Sequence, residues 1–378
     1  MIPFNKPYLS GNETEYIKLA VESGKISGDG VYTKKCHEFF ENRFGFKKVL
    51  LTTSCTDALE MAAILINIVP GDEVIIPSYT FVSTVNAFVL RGAKVVFADS
   101  EATNPNIDAD KIESLITPKT RAIVPVHYAG VACDMDKIME IAERHNLFVV
   151  EDAAQAIDSY YKGRPLGSIG HLAAFSFHET KNIISGEGGM LVINDDQFME
   201  RAEVIREKGT NRSAFFRGEV DKYGWVDIGS SFLPSDIIAA YLFAQLESLE
   251  RIQQRRKDIW NRYDEKFKQA GLENYISTPF TPEYATNNGH MYYLVTKGLT
   301  ERSNLIADCK LKNIHPVFHY LSLHKSPYYS EIYKGIELPN SDFYTDALVR
   351  LPLYYSLTDS EQDLIIETII NSLSFGID

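Results

Sequence analysis

Two stretches decide how the chain folds: Phe148-Val149-Val150-Glu151-Asp152-Ala153-Ala154-Gln155 and Phe175-Ser176-Phe177-His178-Glu179-Thr180-Lys181-Asn182. In the first, an Asp comes directly after an apolar strand. In the second, an apolar run leads to a single Lys, and the glycine-rich stretch Ser185-Gly186-Glu187-Gly188-Gly189 follows. A Lys in this position is poorly placed for a solvated cation. Because desolvation lowers the pKa of an amine and a neutral amine is a nucleophile, the pattern predicts a reactive lysine.

The pair of Asp152 and Lys181 also predicts a cofactor. Pyridoxal phosphate (PLP) needs a lysine that forms an imine with its aldehyde. It also needs a carboxylate that keeps the pyridine nitrogen protonated, so that the ring can accept electrons. Either residue alone is better explained as a strand-end Asp or a surface Lys in an α/β domain. The two together, with the features below, favour a PLP site.

The composition is that of an ordinary globular protein. The 378 residues are 45% hydrophobic and 24% charged, enough for one large and one smaller domain. The net charge of −13, from 38 basic and 51 acidic residues, argues against bulk binding of nucleic acid, although a local pocket for a nucleotide phosphate is compatible with it. The four cysteines are scattered without a CxxC pair, so we expect reduced thiols and no metal site.

The sequence predicts neither a secretion signal nor a membrane segment. Residues 1–7 lack a cationic stretch followed by an apolar one, and no apolar run approaches the length of a bilayer crossing. We therefore expect a cytoplasmic protein without a membrane partner.

Apolar strands alternate with amphipathic helices over the first half of the chain. The predicted strands are Val49–Thr52, Val74–Pro77, Lys94–Asp99, Arg121–Val126, Leu147–Val150, Ala173–Ser176 and Gly189–Ile193. This alternation predicts a mostly parallel sheet covered on both faces, and ligands of such sheets bind beyond the carboxyl ends of the strands. The side chains that follow the strands are therefore expected to line one crevice: Tyr79, Phe81, His127, Asp152, Gln155 and Lys181.

A small polar cluster, Thr53-Ser54-Cys55-Thr56-Asp57, opens a segment rich in strong helix formers. The free backbone N–H groups of a helix start attract anions, so this position is a candidate phosphate site. A plain N-cap by Ser54 or Thr56 explains the same residues, and both interpretations can hold together.

The second half of the chain predicts a linking helix and a smaller lobe. Residues 206–218 form a longer connection than two elements require, which indicates a functional loop. A long helix over Asp236–Ala270 is predicted to join a large domain, residues 1–245, to a small C-terminal domain, residues 246–378. The small domain combines the predicted strand Met291–Val295 with helices over Ser303–Lys312 and Asp359–Leu373.

Five motifs occur in an order that resembles a known family: Ser54-Cys55-Thr56-Asp57-Ala58-Leu59, Pro77-Ser78-Tyr79-Thr80-Phe81, Glu151-Asp152-Ala153-Ala154-Gln155, Ser176-Phe177-His178-Glu179-Thr180-Lys181-Asn182 and Gly186-Glu187-Gly188-Gly189. Together they resemble the sugar-nucleotide aminotransferases of the DegT/StrS group over essentially the whole chain. The resemblance implies an α/β fold of the fold-type I PLP-dependent aminotransferases, with a mostly parallel sheet in the large domain and an α+β small domain.

The resemblance implies roles at the matching positions. Lys181 is expected to be the Schiff-base lysine and Asp152 the partner of the pyridinium nitrogen. Gln155 is expected to bond the ring hydroxyl, and Phe81 to stack on the ring. The phosphate is expected to be held by Ser54, Cys55, Thr56 and Ser176, with Ser231 reaching it from a neighbouring subunit. Many members of the group have Gly and Asn where this chain has Cys55 and Ser231.

The reaction implied by the resemblance is a transamination in two halves. Residues 124–133, 207–213 and 227–231 resemble members that make dTDP-4-amino-4,6-dideoxygalactose. L-glutamate is expected to convert the cofactor to pyridoxamine 5'-phosphate, which then aminates a dTDP-4-keto-6-deoxyhexose while Lys181 moves the proton. We expect the galacto product, used for a surface polysaccharide such as the O-antigen of lipopolysaccharide. A homodimer with shared active sites follows by analogy with the fold.

An acidic protein needs local cations to bind these negatively charged ligands. The candidates are Lys25, Arg206, Lys208, Arg212 and Arg217, although a solvated surface charge explains each of them equally well. The region Phe318–His324 is used near the sugar and nucleotide in the family. The predicted substrate-binding residues are Lys25, Ser27, Arg212, His319, Tyr320 and His324.

Three alternatives differ in substrate or in chemistry. The keto group could be at C3, or the product could have the gluco configuration at C4. A regulator that binds PLP without turnover is less compatible with the presence of Lys181, Asp152 and Gln155 together. An NAD-dependent oxidoreductase would suit the alternating pattern, but no GxGxxG follows the first strand.

Overall fold

The computed structural model of the chain describes residues 1–374, so the last four residues of the predicted small domain lie outside the described part. Seven strands form the central sheet: β1 (Lys48–Thr52), β2 (Glu73–Pro77), β3 (Lys94–Ala98), β4 (Thr120–Ile123), β5 (Phe148–Asp152), β8 (Leu172–Ser176) and β9 (Gly189–Ile193). A hairpin of β6 (Tyr160–Tyr161) and β7 (Arg164–Pro165) lies between β5 and β8 in sequence. The C-terminal strands are β10 (Tyr293–Val295), β11 (Val317–Phe318) and β12 (Leu348–Arg350).

The central sheet is mostly parallel, as the sequence predicts. Its strand order is β1-β9-β8-β5-β4-β2-β3, and β9 alone runs antiparallel to its neighbours. The pairs β2–β3, β2–β4, β4–β5 and β5–β8 are all parallel. The carboxyl ends of six strands therefore meet at one edge of the sheet, where the first residue of β9 joins them.

Alternate residues of each strand enter two separate cores. Val49 and Leu51 pack on one face of the sheet, whereas Leu50 between them packs on the other. Val149 and Val150 divide in the same way. Because side chains alternate with a period of two, a strand whose every residue is apolar must be covered on both faces.

Helices cover both faces of the sheet and build the C-terminal lobe. They are α1 (Glu13–Glu22), α2 (Val31–Phe44), α3 (Cys55–Leu65), α4 (Val82–Val89), α5 (Ala109–Ile112), α6 (Met135–His145), α7 (Met199–Arg206), α8 (Arg212–Phe216), α9 (Asp236–Leu246), α10 (Leu249–Gln269), α11 (Leu299–Leu311), α12 (Pro339–Ala347) and α13 (Asp359–Ser374). Helix α6 illustrates why such a segment forms a helix that packs on the core. Its buried residues Met135, Ile138, Ile141 and Ala142 share one face, and Asn146 ends the helix in the left-handed conformation.

Two predicted elements differ from the structure. The single helix predicted over Asp236–Ala270 is two helices, α9 and α10, because Ser248 leaves helical geometry at φ −105° and ψ 8°. The strand predicted over Arg121–Val126 ends at Ile123, two residues before Pro125, which has no N–H for a ladder.

The C-terminal lobe has its own core around the sheet β10-β12-β11. Residues of α10, α11 and α13 pack there, and Ile2 from the other end of the chain joins them by pairing with Ile314. A fourth cluster, including Tyr79, Tyr128, Tyr293 and Tyr344, lies between the lobe and the central sheet. The domain boundary at residue 245 stays a prediction.

No helix within residues 1–374 is long and apolar enough to cross a membrane. The cytoplasmic location predicted from the sequence stays a prediction.

Candidate active site

A cavity of about 560 Å³ opens at the edge where the carboxyl ends of the strands meet. Its walls come from the ends of β5 and β8, the starts of α3 and α4, and the segments around residues 290, 320 and 350. Ten of the residues predicted from the sequence line it: Ser54, Cys55, Thr56, Phe81, Asp152, Gln155, Ser176, Lys181, His319 and Tyr320. The parallel topology therefore brings together residues that lie up to 266 positions apart, from Ser54 to Tyr320.

Asp152, the last residue of β5, supplies a buried carboxylate to this cavity and is only 5% exposed. Its Oδ2 accepts a hydrogen bond from the Thr84 hydroxyl at 2.7 Å, and its Oδ1 accepts one from the Ala154 N–H at 3.1 Å. Burial raises the pKa of Asp152, although these hydrogen bonds and the charge of Lys181 act in the opposite direction. A cation beside this carboxylate would compensate for its burial.

Lys181 lies in the turn that follows β8 and faces the same cavity. Its N–H donates to the His178 carbonyl, and the next residue, Asn182, anchors the turn to the rest of the protein. The Asn182 amide donates to Gln253 at 2.8 Å, and its oxygen accepts from Nδ1 of His290 at 2.8 Å. Burial lowers the pKa of Lys181, although the nearby negative charge of Asp152 acts in the opposite direction. This environment favours the neutral amine that a nucleophile requires.

The start of α3 forms the opposite end of the cavity. Ser54 caps the helix by accepting the N–H of Asp57 at 3.0 Å, and the first intrahelical bond runs from Ala58 to Ser54. The N–H groups of Cys55 and Thr56 therefore precede the helical ladder and are available to an anion. Gly189 packs directly against this turn, since a Cβ atom there would lie 2.4 Å from the Cys55 nitrogen.

Gln155 and Tyr320 form the side wall between these two ends. Gln155 accepts the Ala129 N–H at 2.6 Å and donates to the Tyr320 hydroxyl at 3.1 Å. Phe81 precedes α4 and leaves 54% of its surface exposed above the cavity. Its ring centroid lies 6.0 Å from that of Tyr320, so the two rings border one slot.

Several residues of the cavity were not predicted from the sequence: Ser83, Thr84, His178, Thr180, Glu187, His290 and Arg350. For Arg350 a signal was present, because it interrupts the apolar run Leu348-Val349-Arg350-Leu351 in the same way as Lys181 ends its own run. His290 and Thr84 carry no comparable signal, since each looks like an ordinary polar residue of a loop or helix.

Five residues that were predicted to bind the cofactor or the substrate do not line the cavity of their own chain. Lys25, Ser27, Arg212 and Ser231 are exposed, and Arg212 lies over the Phe216 ring at 5.1 Å. His324 is buried beside the sheet, where its Nδ1 bonds the Ser78 hydroxyl at 2.7 Å and its Nε2 lies 3.5 Å from Asp342. This packing argues against a direct contact between His324 and a sugar.

Two of the candidate cations are already paired within the chain. Arg206 is buried and forms an ion pair with Asp29 at 2.6 Å, and Arg217 pairs with Glu203 and Glu219. Neither guanidinium is available to a ligand without breaking these pairs. Lys208 remains exposed.

The donor set of the cavity fits PLP. An anion site at the start of α3, a buried carboxylate at Asp152 and a lysine with no hydrogen-bonded partner within the described chain match its phosphate, its ring nitrogen and its aldehyde. No cluster of metal-ligating side chains occurs within residues 1–374, so the residues offer no competing metal centre.

The sequence matches the model of the DegT/DnrJ/EryC1/StrS aminotransferase family over residues 7–370. The chain is 36% identical to the spore coat polysaccharide biosynthesis protein SpsC of Bacillus subtilis (strain 168), over 97% of this chain and 96% of SpsC. It is 33% identical to the GDP-perosamine synthase of Caulobacter vibrioides, over 95% of each chain.

Solved structures agree with this assignment. The fold matches Spr1654 of Streptococcus pneumoniae, described as a sugar aminotransferase and solved in its PMP form, with a TM-score of 0.92 and 28% identity over 99% of this chain and all of that one. It matches S. venezuelae DesV, solved with a ketimine intermediate, with a TM-score of 0.88 and 28% identity over 98% of each chain. The predicted fold class and cofactor are thereby confirmed. The chain belongs to the DegT/DnrJ/EryC1/StrS aminotransferase family and is a PLP-dependent sugar aminotransferase.

Proposed function

We propose that the enzyme transfers the amino group of L-glutamate to C4 of a dTDP-4-keto-6-deoxyhexose and gives the 4-amino-4,6-dideoxy sugar in the galacto configuration. The observation that carries the transamination is the cavity in which Lys181, Asp152 and the start of α3 converge. The choice of sugar rests on the resemblance of residues 124–133, 207–213 and 227–231 to members with that product.

The cofactor contacts form part of the proposal. The start of α3, with Ser54, Cys55, Thr56 and Ser176, would hold the phosphate, and Asp152 would pair with the ring nitrogen. Gln155 would bond the ring hydroxyl and Phe81 would cover the ring. When bound, PLP supplies an aldehyde and an electron-withdrawing ring. The role left to the protein is then to move a proton. The Lys181 amine would remove it from the carbon that bears the reacting nitrogen and return it to the carbon on the other side of that nitrogen, a 1,3-shift.

The opening of the cavity suits a polyol. His178, Thr180, His319 and Tyr320 present imidazole and hydroxyl groups there, with the carboxylate of Glu187 at the mouth. Such groups donate and accept hydrogen bonds in the pattern that sugar hydroxyls require. Burial lowers the pKa of His319, so this imidazole would bind as a neutral group.

A homodimer would complete the site. Residues 211–231 expose large apolar side chains, among them Phe216 (69% exposed) and Trp225 (82% exposed), as expected of a protein interface. The predicted ligand residues Lys25, Ser27, Arg212 and Ser231 lie outside the cavity of their own chain, so they would act in the site of the partner. Mixing inactive Lys181→Ala with an Arg212→Ala variant tests this arrangement, since shared sites regain activity in mixed dimers and separate sites do not.

The nucleotide and the aminated carbon are tested by a product assay. The purified enzyme is incubated with L-glutamate and one of three keto sugars, and the product is assigned by NMR. The sugars are dTDP-4-keto-6-deoxyglucose, its 3-keto isomer and its GDP-linked 4-keto counterpart. We expect amination at C4 of the dTDP sugar with an axial amine. The GDP arm is included because a GDP-perosamine synthase is among the similar proteins. An equatorial amine, amination at C3 of a 3-keto isomer, or turnover of the GDP sugar alone would each replace the proposed substrate or product.

Catalysis itself has a separate test. Borohydride should trap the cofactor on the peptide that contains Lys181. A protein that binds PLP but transfers no amino group from any amino acid would instead be a PLP-binding regulator.

A further inference from the structure

A buried network of polar side chains joins the turn that carries Lys181 to the C-terminal lobe. Its members are each no more than 4% exposed: Asn182, Gln253, Asn288 and His290. Asn182 follows Lys181 directly, whereas Asn288 and His290 lie just before β10. Burying polar groups is costly unless each finds a partner, and a fully paired network fixes one arrangement of the segments that it joins.

Asn288 anchors this network to the large domain. Its side-chain amide donates to the carbonyls of Gln155 and Ile157, both at 2.8 Å, and its side-chain oxygen accepts the His290 N–H at 3.0 Å. Its backbone carbonyl accepts from the Asn182 amide at 2.9 Å. The segment of His290 is therefore held against the loop after β5 and against the Lys181 turn at the same time.

These contacts determine which nitrogen of His290 carries the proton. The carbonyl of Asn288 can only accept, so the end of the Asn182 side chain that faces it must be the amide nitrogen. The other end is then the oxygen, and Nδ1 of His290, which lies 2.8 Å from it, must donate. Burial lowers the pKa of His290 well below its ordinary value of 6.5, so the ring is neutral and Nε2 carries no proton. His290 lines the cavity together with Lys181.

We propose that His290 is a positioning residue for Lys181 and that it acts through Asn182. Its Nδ1–H holds the Asn182 oxygen, and the turn after β8 that carries Lys181 is thereby fixed. When PLP is attached, the amine nitrogen bonds to the aldehyde carbon, and the amine hydrogens leave with the aldehyde oxygen as water. A displacement of the amine by about 1 Å can slow such a step by about 100-fold, so the rate depends on how firmly the turn is held.

This inference rests on the proposed function in one respect, that Lys181 attaches the cofactor, and it is independent of the sugar. The competing role for His290 is direct, with Nε2 bonding a group in the cavity. Two replacements separate the roles. The amide nitrogen of asparagine is as many bonds from Cβ as Nδ1 of histidine, so His290→Asn keeps the donor to Asn182. The amide of glutamine reaches one bond further, to the place of Nε2, so His290→Gln keeps a polar group at the cavity and loses that donor.

The test measures covalent attachment of PLP to Lys181 in the full-length enzyme, after the cofactor is removed and returned. Absorbance gives the attachment rate at increasing PLP concentration, and borohydride reduction with peptide mapping identifies the attached residue. The plateau rate reports the alignment of the amine, and the PLP concentration at half the plateau reports the affinity before attachment. The variants are His290→Asn, His290→Gln and His290→Phe, each also combined with Asn182→Ala. The control is His171→Phe, because His171 accepts the Val149 N–H at 2.9 Å and is not among the residues that line the cavity.

We expect His290→Gln and His290→Phe to lower the plateau rate by about 10- to 100-fold, because the Asn182 oxygen loses its donor and the turn is no longer held in one position. His290→Asn and the control should stay within about threefold of wild type, and the PLP concentration at half the plateau should change no more than that in any variant. Combined with Asn182→Ala, the three replacements of His290 should differ by less than about threefold, because the link is already broken. Should His290→Phe fail to fold, the contrast between His290→Asn and His290→Gln carries the same test.

Several results would overturn the assignment. Equal plateau rates in His290→Asn and His290→Gln would show that the donor to Asn182 is not what matters, and a faster His290→Gln would assign a direct role to Nε2. A matching rise in the PLP concentration at half the plateau would make His290 a structural residue of the whole site. A difference between the His290 variants that persists with Asn182→Ala would exclude action through Asn182. If the wild type attaches PLP to Lys181 but aminates no 4-keto sugar, the proposed substrate fails and the His290 result stands. If it attaches no PLP to Lys181, the proposed cofactor contacts fail and this inference fails with them.

Discussion

Replacing Glu151 with glutamine tests how the active-site strands are held together. Glu151 is fully buried beside Asp152 and accepts four hydrogen bonds. Its Oε1 accepts from the N–H groups of Ile169 and Gly170 at 2.8 and 2.6 Å. Its Oε2 accepts from Gly167 at 2.8 Å and from Nε2 of His127 at 2.9 Å. The carboxylate thus joins β5 to the segment that leads into β8 and Lys181.

The expected cost follows from the geometry. A glutamine can turn its oxygen toward one pair of donors only, and its NH₂ group then meets the other pair. Two buried donors lose their acceptor at about 1–3 kcal/mol each, so we expect Glu151→Gln to lower the free energy of unfolding by about 4 kcal/mol. That is a large part of the roughly 5–15 kcal/mol that stabilises a typical protein.

The contribution of Glu151 to the free energy of unfolding should depend on pH. Burial alone would raise the pKa of Glu151, but the hydrogen bonds from His127, Gly170 and Gly167 lower it below the ordinary value of 4.5. A carboxyl group with a lowered folded-state pKa stabilises the protein above its unfolded pKa, and this contribution is lost as the pH falls through the folded pKa. The difference in the free energy of unfolding between wild type and Glu151→Gln should therefore be constant near neutral pH and narrow below about pH 4.5.

Urea unfolding monitored by circular dichroism measures both effects. The control is Glu113→Gln, an exposed carboxylate paired with Arg144 and His145, for which we expect no resolvable change in midpoint. A loss below about 1 kcal/mol for Glu151→Gln would refute the account, because it would mean that the four donors find other acceptors. If the difference in the free energy of unfolding does not narrow in acid, Glu151 is not the ionised acceptor that the folded protein requires.

Three further changes test the site and its surroundings. Lys181→Ala should lower transamination by about 10³-fold or more in a product assay while the circular dichroism spectrum stays unchanged, and near wild-type turnover would contradict its role. Thr84→Val removes the 2.7 Å donor to Asp152 and should weaken PLP by about tenfold in a fluorescence titration, whereas Thr368→Val, remote in α13, should not. Burial and the charge of Arg206 lower the pKa of His37 from 6.5 to about 3, so between these values the unfolded chain binds a proton that the folded chain does not. The free energy of unfolding, measured with urea, should fall by up to about 1.4 kcal/mol for each pH unit as the pH falls. An equally steep dependence on pH in His37→Gln would show that His37 is not its source.

Local pattern was enough to predict the main parts of the site. Asp152 and Lys181 were identified because each lies at or shortly after the end of an apolar run, which favours a buried strand. Parallel strands bring their carboxyl ends to one edge, so residues that follow different strands meet there without any further information. The start of α3 was predictable for a similar reason, since small polar residues before a strong helix former have few other uses.

The parts that could not be predicted come from distant segments whose placement depends on packing. His290 and Arg350 reach the cavity because the C-terminal lobe packs on the central sheet through a cluster of tyrosines. Arg350 interrupts an apolar run and is conspicuous in the sequence, but no local pattern tells which cavity either residue faces. His324 shows the converse, since its contacts with Ser78 and Asp342 hold it in the interior although His319 and Tyr320, a few residues earlier, line the cavity.

The sequence by itself therefore determined the α/β architecture and predicted that Lys181, Asp152 and the start of α3 meet in one cavity, because each depends on the periodicity or the end of a single element. Their roles toward the cofactor stay a prediction. Only the tertiary structure decided which cations remain free. Arg206 and Arg217 are neutralised by carboxylates from other segments, whereas Arg350 is buried without one. Whether a charge is satisfied depends on what the fold places within a few ångströms of it, and that is a property of packing.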